Sequence, residues 1–415
     1  MNQKQVVLGF SGGLDTTFCV KWLQEHGYEP ICVTLDIGQE PDIEAIRRKA
    51  TQLGVKTIRI IDGKNDFVRY FVTPALKANA LYQGVYPLAT ALSRPFIAKV
   101  MADVAKELGT KYLAHGCTGK GNDQVRIELA LRSLIPDCQI IDPIRSENLS
   151  RDEEIKYLES KGIQTGITQA KPYSVDQNLW GRSVCAGILE NISVEPPPEV
   201  YEWTQAVEKT PQDPEEVEVK FTSGVPTALN GSSLSLPDII CKLNEVGGKH
   251  GIGRIDHIED RLVGIKSREL YEAPAAIILI KAHQILESMT LSRSALEFKR
   301  QVDHEYASLV YFGNWFSHHH MDLLSYLHYN QKHVTGTIKI KLYKGNCIIA
   351  GRSSDFSLYQ KSLATYGPES IFDQAAAEGF VKILGIENET LSRAQLFNFK
   401  EMQHLLSEKN EDSKE

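Results

Sequence analysis

Small, hydroxyl-bearing and glycine residues follow the first apolar segment of this 415-residue chain. Residues 6–8 predict a short strand, Ser11-Gly12-Gly13 a turn, and Asp15-Thr16-Thr17 the start of a helix. The first N–H groups of a helix lack internal partners and carry partial positive charge, and glycine lets a phosphate approach the main chain closely. The stretch therefore predicts a phosphate-binding loop. The alternative is a plain strand-to-helix turn in which Asp15 only caps the helix.

Two common phosphate motifs do not occur in this stretch, which contains neither GxxxxGK[ST] nor GxGxxG. The string SGGLDT instead resembles the SGGxD[ST] signature of the PP-loop ATP pyrophosphatases. Members of that superfamily hold the pyrophosphate of ATP while its α-phosphorus is attacked. The resemblance implies that ATP binds the first loop.

A second concentration of polar residues lies at 115–126, HGCTGKGNDQVR. Its three glycines expose backbone N–H groups, and Lys120 is a point charge suited to phosphate. Arg126 suits a carboxylate, and Asp123 suits an ammonium group. An amino-acid ligand needs both signs of charge, so this loop predicts amino-acid binding beside a phosphate.

Alternating strands and helices are predicted to position both loops within residues 1–165. Strands are expected at residues 6–8, 31–36, 57–61, 112–115 and 138–141. The helices between them are expected to include residues 95–108 and to end at Gly54, Gly109 and Gly162. This alternation predicts an α/β fold, with a doubly wound, mainly parallel, Rossmann-like sheet. Ligands of such sheets bind beyond the carboxyl ends of the strands, where both loops fall.

The composition changes near residue 165. Residues 164–215 are rich in Pro, Gln and Glu and predict a linker, whereas residues 217–360 predict an α+β domain. That domain is expected to contain helices at 283–310 and 316–332, and a hairpin of residues 334–343 and 347–351. The predicted domains are 1–165 for nucleotide binding, 166–360 as the synthetase domain and 361–415 as the C-terminal helix and tail.

A last helix is predicted at 392–408, opened by a capping box at Ser392. Its apolar face consists of Leu396, Phe399, Met402 and Leu406. Such a face indicates docking on a neighbouring subunit, although packing on its own domain explains it equally well.

The composition is that of an ordinary globular protein, with 42% hydrophobic and 24% charged residues. The net charge of −7 argues against a nucleic-acid or anionic-membrane partner. Seven scattered cysteines with no CxxC pair indicate reduced thiols, and no apolar run reaches the roughly 20 residues that span a bilayer. With no signal peptide visible before the first strand, a cytoplasmic location is expected.

Seven motifs in order resemble those of the argininosuccinate synthases and together cover about residues 5–385. They are SGGLDT, YPLATALSRP at 86–95, HGCTGKGNDQVR at 115–126, PYSVDQNLWGRS at 172–183, the segment 247–274, LYKGN at 342–346 and SLYQKSLAT at 357–365. The resemblance implies an ATP-dependent ligase of arginine biosynthesis. ATP adenylates the ureido oxygen of citrulline and releases pyrophosphate, and aspartate then displaces AMP to give argininosuccinate.

The resemblance also implies the contacts of each substrate. ATP would contact Gly9, Phe10, Ser11, Gly12, Gly13, Leu14, Asp15, Thr16, Thr17, Leu35 and Gly116. Aspartate would contact Thr118, Asn122 and Asp123. Citrulline would contact Tyr86, Thr90, Asn122, Arg126, Ser174, Ser183, Glu259 and Tyr271. Asp15, Asp123 and Arg126 are the candidate catalytic residues. No protein metal site is implied, since Mg²⁺ would arrive with ATP, and the family implies a homotetramer.

Several positions depart from the family pattern. Gly9-Phe10 replaces Ala-Tyr and Thr17 replaces Ser. Ala89 stands where Gly is usual, which predicts a tighter citrulline loop. The run Val184-Cys185-Ala186 and Asp260 also differ from the usual residues. None of these changes removes a predicted contact.

Other residues have plainer interpretations. Cys117 has no His–Asn arrangement beside it and is interpreted as a packing residue. His115 could orient a phosphate or be structural, and Glu259 could simply pair with Arg261 or Arg268. The run 318–320 of three histidines has no zinc-like spacing and predicts a solvent-facing turn.

Two other functional classes compete with the ligase. Another PP-loop adenylating enzyme, such as an amidotransferase synthetase or a tRNA-modifying enzyme, would need a glutaminase cysteine or a basic surface, and neither is recognisable. A non-catalytic ATP-binding module would not need Asp123, Arg126 or a second domain of this size.

Overall fold

A computed structural model describes residues 4–39, 43–163, 173–395 and 399–407. The chain divides into two compact units, Met1–Leu358 and Tyr359–Glu415. The predicted domain limits near residues 165 and 360 stay predictions, and residue 165 lies outside the described residues.

The first half of the larger unit is built on a five-stranded parallel sheet. Its strands are β1 Lys4–Gly9, β2 Tyr28–Asp36, β3 Thr57–Asp62, β4 Tyr112–Ala114 and β5 Gln139–Ile141, in the order β3-β2-β1-β4-β5. All four pairings are parallel. The five predicted strands and the α/β class are therefore confirmed.

Helices cover both faces of this sheet. They are α1 Leu14–Glu25, α2 Ile43–Gln52, α3 Lys64–Phe67, α4 Thr73–Lys77, α5 Ala89–Leu108, α6 Asp123–Leu134, α7 Pro143–Glu147 and α8 Arg151–Ser160, with a π-helix at Val68–Val72. Side chains alternate along β1, so Val7 packs in the cluster that contains α5, while Val6 and Leu8 pack with Phe18 of α1. A strand buried on both faces is typical of a doubly wound sheet.

Helix α5 begins six residues before its predicted start. Leu88 takes a left-handed φ of +64° before Ala89, and Pro95 lies inside the helix rather than in its first turn. A proline costs one main-chain hydrogen bond. The burial of thirteen residues of α5 offsets that cost. The presence of a proline therefore does not predict where this helix begins.

The second half of the larger unit is α+β, as predicted. Its strands are β6 Ser174–Asn178, β7 Gly181–Cys185, β8 Glu215–Thr222, β9 Val225–Leu229, β10 Ser232–Ser233, β11 Arg254–Asp260, β12 Lys266–Glu272, β13 Gly336–Tyr343 and β14 Asn346–Ser353. They form two antiparallel sheets, β10-β9-β8-β13-β14 and β11-β12-β7-β6. The hairpin β13–β14 turns at Lys344-Gly345, both with positive φ, as its sequence predicts.

The helices of this half are α9 Leu236–Lys249, α10 Pro274–Thr290, α11 Arg293–Tyr311 and α12 His318–Asn330. The single helix predicted at 283–310 is wrong, because Ser292 caps a new helix by accepting a hydrogen bond from the Ala295 N–H. The turn predicted for the histidine run is also wrong. The run begins α12, and His320 is buried and bonded to the Trp315 carbonyl.

The linker predicted at 164–215 is wrong where the structure describes it. Residues 164–172 lie outside the described residues. From Ser174 onward the chain forms the β6–β7 hairpin, with Trp180 buried in its turn, and then three 3₁₀ turns, Gly187–Glu190, Pro198–Val200 and Val207–Lys209. The segment is ordered although it is rich in Pro, Gln and Glu, because Trp180 packs its side chain into the core.

The smaller unit contains α13 Lys361–Ala364, α14 Gln374–Leu384, α15 Ile386–Gln395 and α16 Phe399–Ser407. The capping box predicted at Ser392 is wrong, because Ser392 lies inside α15. Glu387 and Glu389 in the first turn favour the earlier start at residue 386. Leu396 lies outside the described residues, and Met402 and Leu406 are exposed.

A buried ion pair holds the four-stranded sheet to the chain that precedes β8. Arg182 Nη1 lies 2.9 Å from Glu272 Oε2, and both side chains are no more than 3% exposed. Glu272 also accepts hydrogen bonds from the N–H groups of residues 202, 203 and 204. Arg182 and Glu272 flank Ser183 and Tyr271, so this pair fixes the strands that carry predicted site residues.

Glu272→Ala should destabilise the fold by about 3–5 kcal/mol, because it removes the buried carboxylate of Arg182 and leaves only the exposed Glu202 beside it. Chemical denaturation measures the change. The control is Glu218→Ala, which removes an exposed ion pair with Lys339 and should cost less than about 1 kcal/mol. Equal losses in the two variants would contradict the importance assigned to the buried pair.

Candidate active site

The first glycine loop connects β1 to α1 at the carboxyl edge of the parallel sheet. Gly12 has a φ of +75° and Gly13 caps α1. The Gly13 carbonyl accepts hydrogen bonds from the Thr17 N–H at 3.0 Å and the Thr17 hydroxyl at 2.6 Å. Ser11 Oγ lies 3.2 Å from both Thr16 Oγ1 and the Gly13 nitrogen, so the hydroxyl groups and N–H donors converge within one turn.

Neighbouring strands support this loop from below. The Phe10 N–H donates to the Val33 carbonyl, and the Thr34 hydroxyl donates to the Phe10 carbonyl at 2.6 Å. A Cβ at Gly9 would lie 3.1 Å from Met101 Sδ of α5. Leu14 and Leu35 are buried, so only the main chain of these two residues is available to a ligand.

The second glycine loop meets the first one directly. Strand β4 pairs in parallel with β1, so the loops that follow them leave the same edge of the sheet. A Cβ at Gly116 would lie 3.2 Å from the Asp15 carbonyl carbon and 3.3 Å from Cys19 Sγ. Gly116 therefore packs against the N-terminal turn of α1, and the predicted adjacency of the two loops is observed.

Asp15 lies beside a second carboxyl group, which the sequence did not indicate. Burial raises the pKa of Asp15 and raises the pKa of Glu154, on α8, to about 8. Glu154 is 3% exposed, and its Oε2 has no hydrogen-bond partner in the described part of the chain. Asp15 of the first loop and Glu154 of α8 thus place two carboxyl groups next to the N–H donors of the loop.

A cluster of polar side chains surrounds Glu259 at the other end of the second loop. Glu259 accepts hydrogen bonds from the hydroxyl groups of Tyr271 at 2.6 Å and Tyr311 at 2.8 Å. Asn122 Nδ2 donates to Tyr311 at 2.9 Å and lies 3.5 Å from Glu259. Arg261 and Arg268 pair with Glu269 and Asp256 instead, so the alternative of a Glu259–arginine pair is wrong.

Four of the predicted citrulline residues share one face of the sheet β11-β12-β7-β6. Ser183 lies opposite Tyr271 across β7 and β12. Glu259 lies opposite Ser267, which is four residues before Tyr271 on β12 and therefore on the same face of the sheet. Ser174, on the neighbouring strand β6, is two residues from Asp176, which pairs with Ser183. Directly opposed residues of a sheet point to the same side, so the strand register collects these side chains.

Tyr86 and Thr90 complete the wall of this cluster. The Tyr86 hydroxyl lies 2.6 Å from Thr90 Oγ1 and accepts the Thr90 N–H at 3.0 Å. The Tyr86 ring stacks on Tyr271 with centroids 4.1 Å apart. The structure therefore brings the predicted citrulline residues into one contact network with Arg126 or Glu259. Ser174 is the exception, since it is exposed and its hydroxyl group makes no hydrogen bond within the described residues.

Arg126 is 3% exposed and is held by the chain around Tyr311. Its Nε donates to the Tyr311 carbonyl at 2.9 Å, and its guanidinium carbon lies 4.6 Å from the Tyr311 ring centroid. Its Nη2 has no hydrogen-bond partner within the described residues. A buried guanidinium with a spare donor suits a ligand carboxylate.

Asp123 has partners that the sequence analysis missed. It accepts a hydrogen bond from Arg94 Nη2 at 2.8 Å, and Arg126 Nη1 lies 3.4 Å away. Arg94 also bonds to Asp176. Burial alone would raise the pKa of Asp123, but the two guanidinium groups outweigh it and lower that pKa. Thr118 is exposed near the middle of the loop.

The residues that sequence reasoning missed had weak signals. Arg94 lies within the matched string YPLATALSRP, and Asp176 within PYSVDQNLWGRS, so motif membership could have identified both. Tyr311 ends a long amphipathic helix and carries no local sign of a binding role. Only the folded contact with Glu259 identifies it.

His115 belongs to a group of possible metal ligands with Glu128 and Asp142. Arg145 already lies between the two carboxylates, 2.7 Å from Glu128 and 3.2 Å from Asp142. The His115 Nδ1 accepts the Cys117 N–H at 3.3 Å. This network supports the second loop from behind, which favours the structural interpretation of His115. Cys117 is half-buried, and no disulfide joins any of the seven cysteines.

Of the positions that depart from the family pattern, Ala89, Val184 and Asp260 lie beside the Glu259 cluster rather than inside it. Ala89 packs against Gly181, where a Cβ would come within 3.1 Å of the Ala89 methyl group. Val184 is buried in a separate small core, and Asp260 pairs with Lys266 at the surface. The tighter citrulline loop predicted from Ala89 stays a prediction.

These features define the chain as a nucleotide-binding protein of the HUP class. A family model described as the N-terminal HUP domain of argininosuccinate synthase matches residues 5–164, and one described as the C-terminal domain of that protein matches residues 173–391. The chain therefore belongs to the argininosuccinate synthase family, ATP-dependent ligases of arginine biosynthesis.

Curated relatives agree with this assignment. The argininosuccinate synthase of Rubrobacter xylanophilus is 50% identical over 383 residues, which cover 92% of this chain and 94% of the relative. That of Dictyoglomus turgidum is 49% identical over 389 residues, covering 94% and 97%. A solved structure titled as a predicted subunit of a tRNA methyltransferase from Methanocaldococcus jannaschii shares 18% identity at a TM-score of 0.28, too low to bear on the fold. In the described ranges, no helix combines the length and apolarity needed to cross a membrane.

Proposed function

We propose that this chain condenses citrulline with aspartate through a citrulline–adenylate intermediate, forming argininosuccinate, AMP and pyrophosphate. The observation that carries the proposal is the contact between Gly116 and Asp15. The second loop therefore links the two sites. Its first end contacts the phosphate loop at Asp15, and Asn122 at its other end bonds to Tyr311 in the cluster around Glu259.

The first loop is the proposed site of the ATP phosphates. The N–H groups at the start of α1 and the hydroxyls of Ser11, Thr16 and Thr17 are the donors that phosphate oxygens need. The main chain near Leu35, at the end of the neighbouring strand, and Gly116 bound the remaining space for the nucleotide. ATP would thus lie across the carboxyl edge of the sheet.

Glu259 and Arg126 are proposed to bind the two charged groups of citrulline. Glu259 is a buried carboxylate bonded to neutral hydroxyls, and an α-ammonium group would compensate its charge. Arg126 has an unused Nη2 for the α-carboxylate. Ser174, Ser183 and the Tyr86–Thr90 pair present hydroxyl groups suited to uncharged oxygens and nitrogens.

Aspartate is proposed to bind at Thr118, Asn122 and Asp123. The Asp123 Oδ1 contact with Arg126 is 3.4 Å long, so this oxygen has capacity left for the aspartate ammonium group. Asp123 then holds the amine close to the activated carbon. Positioning of this kind supplies much of the rate enhancement when two substrates react.

The proposed reaction consists of two displacement steps, in which pyrophosphate leaves first and AMP second. The ureido oxygen of citrulline attacks the α-phosphorus of ATP, and the bond to pyrophosphate breaks. The aspartate amine then attacks the ureido carbon and loses a proton, and AMP departs with the ureido oxygen. Both steps develop charge that fixed donors and cations would stabilise.

Mg²⁺ is proposed to enter with ATP and to offset the phosphate charge. Asp15 and Glu154 fit such an ion, since they place two carboxyl groups at the phosphate loop and Glu154 Oε2 lacks a partner among the described residues. Oxygen ligands of this kind suit Mg²⁺, which usually takes one or two carboxylates besides substrate phosphates.

A homotetramer in the cytoplasm is the proposed state of the protein. In α14, the side chains of Phe380, Val381, Ile383 and Leu384 are each 64% exposed or more, and no residue of this helix is buried. An uncovered apolar helix face of this kind indicates a partner surface.

Pyrophosphate release from ATP tests the proposal. Release should require citrulline, and continuous turnover should require citrulline and aspartate together. Release driven by glutamine or by tRNA, with no response to citrulline, would favour another PP-loop adenylating enzyme. ATP binding without any pyrophosphate release would favour a non-catalytic module.

Asp123→Ala should raise the KM for aspartate by about tenfold or more and change the KM for ATP by less than about threefold. The control is Asp176→Asn, which removes the other carboxylate of Arg94 but leaves Asp123 in place. If Asp123 acts only by holding Arg94, both variants will change the aspartate KM equally, which would contradict its proposed role.

A further inference from the structure

A lysine outside every matched motif contacts the phosphate loop. Lys49 lies on α2, and its Nζ donates a hydrogen bond to the Gly12 carbonyl at 2.6 Å. Ile46, one turn earlier, lies against the same glycine, since a Cβ on Gly12 would be 3.6 Å from Ile46 Cγ1. Helix α2 therefore packs against the phosphate loop, and it shares a core cluster with α1.

The phosphate loop itself has no positive side chain. Residues 9–17 contain one acidic residue, Asp15, and no lysine or arginine. Among the described residues, no carboxylate lies within 4 Å of Lys49 Nζ, whose hydrogen-bond partner is the Gly12 carbonyl. Burial lowers the pKa of Lys49, as expected for a partly desolvated ammonium group.

The hydrogen bond also sets the direction of a peptide group. No peptide bond among the described residues is cis, so the Gly12 carbonyl and the Gly13 N–H point in opposite directions. Lys49 holds the carbonyl on the α2 side, which directs the Gly13 N–H toward the Ser11 hydroxyl at 3.2 Å. That is the interior of the loop, where a phosphate oxygen would replace the serine oxygen.

We propose that Lys49 is a positioning residue for the β- and γ-phosphates of ATP. Its ammonium group fixes the Gly12–Gly13 peptide with its N–H facing the phosphates, and its positive charge lowers the cost of bringing polyphosphate to a loop that has an acidic residue and no basic one. The inference rests on the proposed use of this loop for ATP.

The test compares direct binding of pyrophosphate, ATP and AMP by calorimetry. Lys49→Met keeps the side-chain length but removes the charge and the donor. It should weaken binding of pyrophosphate and ATP by about 10- to 100-fold, the range expected for a hydrogen bond to a charged group. AMP, which lacks the β- and γ-phosphates, should lose less than about threefold. Lys49→Arg should recover most of the affinity.

The control is Arg47→Met on the same helix, which removes an exposed arginine paired with Glu44 and should change none of the three affinities. Unchanged pyrophosphate binding in Lys49→Met would overturn the inference. So would an equal loss for AMP and pyrophosphate, which indicates general damage to the site. If wild-type protein binds neither ATP nor pyrophosphate, the proposed function fails instead, so the two failures are distinguishable.

Discussion

Gly12→Val is expected to abolish ATP binding while the protein remains folded. Gly12 has a φ of +75°, a conformation that costs an L-residue roughly 1–2 kcal/mol and a β-branched residue more. The added methyl groups would also press on Ile46, 3.6 Å from the Cβ position. Both effects turn the peptide that supplies the N–H donors, so ATP affinity should fall by at least about 100-fold, or ~2.7 kcal/mol.

Gly27→Val is the matched control for this variant. Gly27 follows the other end of α1 with a φ of +79°, and no atom lies within 4 Å of its Cβ position. It imposes the same backbone strain away from the loop. The melting temperatures of both variants should fall by similar amounts, but Gly27→Val should bind ATP with the affinity of the wild type. Native ATP affinity in Gly12→Val would show that the phosphate loop is misassigned.

Glu259→Gln should raise the KM for citrulline by about 100-fold or more, because it removes the charge that the substrate ammonium group would meet in a buried site. The same variant should be as stable as wild type or more stable. Glu259 is 3% exposed and has no cation within ion-pair distance in the described ranges, so the neutral glutamine would remove a buried carboxyl group that no described cation pairs with. Steady-state kinetics and thermal melting measure the two effects.

Glu269→Gln is the control for Glu259→Gln. Glu269 projects from the same face of the sheet and is buried, but it already pairs with Arg261 at 2.6 Å. Its loss should lower stability and leave the citrulline KM within about threefold of wild type. A large KM increase in Glu269→Gln, or a strong loss of stability in Glu259→Gln, would contradict the assignment of Glu259 as the ammonium site.

The parallel sheet could be predicted from sequence because its signal is local. Apolar runs such as residues 31–36 are bounded by glycine and polar turns, and each became a strand. The start of α5 and the β6–β7 hairpin could not be predicted. In α5, burial outweighs the proline signal at Pro95, and in the hairpin Trp180 provides core contacts from a polar segment. Tertiary packing decided both cases.

The part of the site that could be predicted from sequence consists of residues assigned through the matched motifs. Ser183, Glu259 and Tyr271 were assigned by resemblance, and the strand register explains why they meet. Their partners Tyr311 and Arg94, and the packing of Lys49 on Gly12, depend on contacts between distant segments. Such contacts leave no spacing pattern in the chain, so only the folded structure reveals them.

Transfer of an isotopic label from citrulline tests the central claim most directly. Citrulline carrying ¹⁸O in its ureido group is incubated with the protein, ATP and aspartate, and the products are analysed by mass spectrometry. If the loop contact at Gly116 brings the α-phosphorus to the citrulline oxygen, each AMP formed will contain one ¹⁸O atom. Unlabelled AMP, or label in pyrophosphate, would contradict adenylation of citrulline at this site.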